Sequence, residues 1–156
     1  MKPVLATAAL CLALLASAPH AALAENPAQS RQQIEAVIKA FDKAITDKDK
    51  DDFMRLFLHG NMTWASVSTD GTLAYYRARQ KDPAQQLLPK VMRATPRMFI
   101  ERIAGDPEPG SEIVENVRID TDGDIAQVWF DYRFMAGDYP TNWGKEAWQM
   151  VRTESG

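Results

Sequence analysis

The sequence predicts an α+β domain: a long curled antiparallel sheet covered on one face by helices. Three observations point there. Ile34, Val37, Ile38, Phe41 and Ile45 recur at helical spacing and form one apolar stripe. Two long strand-like runs, 113–121 and 124–135, flank Asp122-Gly123, a tight-turn pair. No internal repeat appears, and strands do not alternate with helices as a parallel sheet requires.

The chain opens with a segment that reads as an export signal. Lys2 gives a short positive start, an apolar stretch rich in Ala and Leu covers 4–15, and Ala22-Leu23-Ala24 is a small-residue exit. The apolar stretch falls short of the roughly 20 residues a membrane span needs. Leu10, before Cys11, is too large for a lipoprotein signal. Cleavage after Ala24 leaves one domain of 132 residues, 25–156, expected in the periplasm or secreted. Lys2 is the only charge removed, so 17 basic and 21 acidic residues remain, a net charge of −4. With no basic patch, nucleic acid and anionic membrane are not expected partners.

The mature part contains no cysteine and one histidine, His59. A disulfide framework and a Cys/His zinc site are both excluded, so stability must come from an apolar core. No glycine-rich phosphate loop or metal-ligand cluster is present, and no cofactor is expected.

Element by element, Ser30 with Gln33 fits a capping box that opens the first helix. Residues 47–52 form a charged turn without the glycine a calcium loop needs. A short second helix turns Phe53, Leu56 and Phe57 inward, and Gly60 is placed to end it. Residues 62–68 and 72–77 then read as a hairpin around Asp70-Gly71, carrying Trp64, Val67, Tyr75 and Tyr76. Asp82-Pro83 starts a helix that Pro89 limits, and Thr95-Pro96 starts another, with Phe99, Ile100 and Ile103 inward and Gly105 at its end.

The last third is strands. A two-residue turn at Asp122-Gly123 sets Ile119 opposite Ala126, Val117 opposite Val128, Glu115 opposite Phe130 and Ile113 opposite Tyr132. All eight then share the inner face. Gln127, Trp129, Asp131 and Arg133 take the outer face. After a loop at 137–142, a strand over 145–153 turns Glu146, Trp148 and Met150 inward.

This layout resembles the nuclear transport factor 2-like superfamily, in its SnoaL-like branch of small exported proteins. The resemblance runs from about Ile34 to the end. It rests on the long first helix, the Asp-rich turn, Met62-Thr63-Trp64, the meander from Val117 to Tyr132, and Trp143-Gly144-Lys145-Glu146-Ala147-Trp148. It implies a cone: a curved sheet wrapped around the long helix, enclosing a pocket. It also implies pairing through the outer sheet face into a homodimer. Relatives continue past the position of Gly156 into a final apolar strand. The resemblance thus implies an unpaired sheet edge here.

Members of that family include isomerases, cyclases, dehydratases, binding proteins and dimerising modules, so the fold does not choose a function. An isomerase-like site needs a carboxylate base in a dry pocket and a donor to a developing oxyanion. Glu115 and Glu146 are the candidate bases, and Tyr132, with Tyr75 or Tyr76, the candidate donor. The ordinary alternative sets both acids at a hydrated rim, paired with Arg77, Arg79 or Arg102. Asp131 and Arg133 match half of an epoxide-hydrolase arrangement but fall on the outer face. His59 near a helix end is a candidate base and equally an end-cap.

The first functional expectation is an exported protein that binds a small apolar or aromatic molecule. Trp64, Tyr76, Phe99, Phe130, Tyr132, Phe134 and Trp148 would line its pocket, with Glu115 and Glu146 as polar handles. The alternatives are an acid–base enzyme of isomerase, cyclase or dehydratase type, and an association module using Trp129.

Overall fold

The structure, a computed structural model, describes residues 26–82 and 87–154. The signal segment, Pro83 and the Ser155-Gly156 turn lie outside the described residues.

Helix α1, Pro27–Thr46, has its cap four residues earlier than the capping-box reading set it. Asn26 is the N-cap, its side chain accepting from the Ala28 N–H, and Pro27 sits where a missing N–H costs nothing. Ser30 is therefore not a cap. It is buried, and its hydroxyl donates to the Gly123 carbonyl at 2.8 Å, tying α1 to the turn of the sheet. Ile34, Ile38, Phe41 and Ile45 are buried as the stripe requires.

Helix α2, Lys50–Arg55, is capped by Asp49, which accepts from the Asp51 and Asp52 amides. It buries Phe53 and ends at Leu56, so Gly60 does not cap it.

The hairpin expected around Asp70-Gly71 does not form. Strand β1, Trp64–Val67, pairs antiparallel with β2, Val91–Ala94, while Asp70–Arg79 is helix α3. Thr69 decides the matter: its side chain accepts from the Thr72 N–H, making Asp70-Gly71 the first turn of a helix. Residues 87–89 are not helical, which corrects the last part of the helix expected before Pro89. Helix α4, Pro96–Gly105, starts as expected, with Thr95 accepting from the Met98 N–H, and buries Ile100 and Ile103.

Strands β3, Gly110–Thr121, β4, Ile125–Ala136, and β5, Tyr139–Val151, form an antiparallel meander curved around α1. The expected loop at 137–142 shrinks to a turn at Gly137, whose φ of +55° suits glycine.

The β3–β4 register differs from the sequence reading twice. Thr121 pairs with Ala126 instead of Asp124, so Ile119 meets Val128. A β-bulge then lies between Glu115 and Arg118, with Asn116 at φ 54°. One extra residue on a strand reverses the facing of everything beyond it. Below the bulge Val114 and Glu112 face inward opposite Tyr132 and Phe134, while Glu115 and Ile113 turn outward.

Two apolar clusters fill the interior. One joins Ile34 and Ile38 to Ile119, Val128 and Phe130. The other joins Phe41 and Ile45 to Phe53, Ile100 and Ile103. Trp148 packs against both.

Candidate functional site

Two carboxyl groups lie on the inner face of the sheet, one on each side of β4. Glu112 comes from β3 beside Phe134, and Glu146 from β5 beside Phe130. From α1, Asp42 accepts the Glu112 backbone N–H at 2.8 Å, which anchors that end of β3 to the helix. Tyr132 of β4 lies between the strands. Its ring covers Gly144, where a Cβ would come within 3.1 Å of Tyr132 Cε1.

Glu112 is 4% exposed, and its Oε1 has no hydrogen-bond partner among the described residues. Burial pushes its pKa up to about 9, and the negative charges of Glu146 and then Asp42 add to the effect. Glu146 is partly buried and is also raised by burial, opposed by a hydrogen bond from Trp148 Nε1 to Oε2 at 2.8 Å. Tyr132 is held above the ordinary phenol value by burial and then by the two glutamates, against a hydrogen bond with Asn142. At neutral pH Glu112 is therefore a carboxylic acid, able to donate a hydrogen bond. Among the described residues no group of acids, histidines or cysteines is arranged to hold a metal ion.

The aromatic wall is continuous. Phe130 meets Trp148 edge-on at 4.9 Å and 88°, and Trp148 meets Phe41 at 4.9 Å. Phe99 meets Trp64 at 4.9 Å and Phe134 at 6.5 Å.

Of the residues singled out by sequence, Glu146, Tyr132, Phe130, Phe134 and Trp148 come together here, and Trp64 and Phe99 join the same aromatic cluster. Three others do not. Glu115 is turned outward by the bulge and pairs with Arg133 at 3.2 Å. Tyr76, with Tyr75, is exposed on α3 instead of lining an inner strand. His59 is exposed in the turn after α2, where Nδ1 accepts the Asn61 N–H. Glu112 and Asp42 are additions. Asparagine in mid-strand was the available signal for Glu112, because Asn tolerates the left-handed backbone that a bulge uses.

Superposition on a dehydratase candidate of the nuclear transport factor 2-like family, from Streptomyces avermitilis, covers 84% of this chain and 91% of that one, with a TM-score of 0.50 at 16% identity. The fold is nuclear transport factor 2-like. The chain matches no protein-family profile and no curated protein sequence. In the nuclear transport factor 2-like frame, the carboxyl pair lies on the concave face of the sheet and the ion pairs Arg133–Glu115 and Lys145–Asp131 on the convex face.

Proposed function

We propose that the protein is an exported binder of a small apolar or aromatic molecule, held within the cone with Glu112 and Glu146 as its polar handles. The observation that carries this reading is Glu112 Oε1. A buried carboxyl oxygen without a partner costs free energy that a ligand's donor would recover. The aromatic surround of Phe130, Tyr132, Phe134 and Trp148 supports an apolar ligand body. Export rests on residues 1–24, whose pattern is that of a cleaved signal. A thermal-shift screen against aromatic acids, alcohols, amines and steroids tests the reading. A ligand at about 100 times its Kd stabilises by about 2.7 kcal/mol. A well-folded protein unmoved by every class would sink it.

The second reading is an acid–base enzyme. It is favoured by two inner-face carboxyl groups, Glu112 and Glu146, whose burial raises both and whose charges act on each other, since an elimination of water or a proton shift needs one group to give a proton and one to take it. Glu146 would remove a proton and Glu112 would donate one. Turnover of a hydroxy-carbonyl substrate that is lost in both Glu112→Gln and Glu146→Gln would favour this reading.

The protein also self-associates, in this proposal, through the outer sheet face around Gln127, Trp129, Asp131 and Arg133. Trp129 is 45% exposed there and edges a groove of about 300 Å³ with Val117, Arg118 and Lys145.

A further inference from the structure

Only acids and a phenol act on Glu112 from the elements around it, and the proton it holds is what keeps that neighbourhood neutral. Glu112 lies on β3, which packs against α1 and β4, and β4 in turn pairs with β5. The titratable groups acting on Glu112 from those elements are Asp42 of α1 and Glu146 of β5, both acids, and it in turn acts on the Tyr132 phenol of β4. Oε1 of Glu112 is buried and has no hydrogen-bond partner among the described residues. A neutral hydroxyl would satisfy that oxygen and leave the proton on Glu112 as the only relief of the acidic surroundings. A cation would satisfy the oxygen and take over that relief.

The neighbouring rings favour the same partner. Phe130 and Trp148 meet edge-on beside Glu146, and Tyr132 flanks the pair from the next position inward on β4. Aromatic faces attract a cation removed from water. Glu146 and Tyr132 are partly exposed and Asn142 is exposed, so this side of the pair is the one open to solvent.

We propose that Glu112 and Glu146 together bind the protonated amine of a small ligand whose body is aromatic or apolar. This rests on the pocket reading above and names the chemical class of its ligand. The proton balance is simple. The incoming ammonium takes the place of the proton on Glu112, which leaves to solvent. Binding below pH 9 therefore releases up to one proton per ligand, and affinity rises with pH until the amine itself deprotonates.

The test is calorimetry on the full chain with three probes of one shape: 2-phenylethylamine, 2-phenylethanol and phenylacetate. The amine is expected to bind about tenfold or more tighter than the alcohol, with phenylacetate weakest. Repeating the titration in buffers of different ionisation enthalpy should reveal the released proton. Glu112→Gln and Glu146→Gln should each lose the amine preference and keep the alcohol. Alcohol and amine binding alike, with no proton released, overturns the cation inference and leaves the pocket reading standing. No binding of any probe overturns both. If a variant fails to fold, proton release by the unaltered protein decides alone.

Discussion

Trp148 donates its indole N–H to Glu146 Oε2 at 2.8 Å, from two positions along the same strand. Residues i and i+2 of a strand share a face, so the donor and the carboxyl point into the cone together. The indole ring is in turn fixed against Phe41 and Phe130. Trp148→Phe keeps most of that packing and removes the donor. Because the hydrogen bond opposes the rise caused by burial, its loss should raise the Glu146 pKa further. Carboxyl carbon chemical shifts followed by NMR titration would measure this. Stability should fall by about 1–3 kcal/mol. An unchanged Glu146 titration would remove the role assigned to the indole.

Glu112 makes stability depend on pH. Its folded pKa of about 9 lies above the ordinary 4.5, so the folded state holds a proton that the unfolded chain releases. The stability it permits is complete below about pH 4.5 and is lost as pH climbs toward 9. At about 1.4 kcal/mol per pH unit, the loss across that window is on the order of several kcal/mol. Glu112→Gln cannot ionise and keeps the shape. Urea midpoints at pH 5 and pH 8 should differ much less in the variant than in the original protein, and the variant should be the more stable one at pH 8. Equal pH dependence in both would place the titration elsewhere.

Much of this fold was legible from the chain alone. The apolar stripe of α1 announced a helix lying on a sheet, and the apolar alternation around Asp122-Gly123 announced the meander. Two errors had local causes. Asp70-Gly71 suits a tight turn, but Thr69 before it caps a helix, and the cap prevailed. Alternation counted outward from Asp122-Gly123 assumed an unbroken ladder, so the bulge at Asn116 exchanged Glu115 for Glu112 on the inner face. A site that depends on strand facing is only as legible as its bulges. Glu146, on a strand without a bulge near it, was read on its correct face.

The bulge itself can be tested. Asn116 holds φ 54°, and its side-chain amide donates to Asp131 at 2.8 Å. Asn116→Gly should keep the backbone and lose only an exposed hydrogen bond, leaving stability within about 1 kcal/mol. Asn116→Val cannot adopt that conformation cheaply and should lose about 1–2 kcal/mol or more. Denaturant unfolding of the two variants separates them. Equal stability would mean that the backbone at 116 carries no such constraint.

Trp129 provides the test of self-association. It pairs with Arg118 on one side and Ala147 on the other, so its ring stands on the outer face of the central strand. Ile113 and Val117 are also outward and about 40% exposed, and Trp143 is 69% exposed. Around them the pairs Arg133–Glu115 and Lys145–Asp131 form a charged surround. An apolar centre within a polar rim is the anatomy of a subunit interface. In a two-fold arrangement each residue near the axis meets its own copy, so one substitution acts twice. Trp129→Ala should therefore shift sedimentation from dimer to monomer while leaving the thermal unfolding of the concave core nearly unchanged. Trp129→Glu should do so more completely, because two buried like charges would then face each other. A protein that sediments as a monomer before any substitution would refute the interface outright.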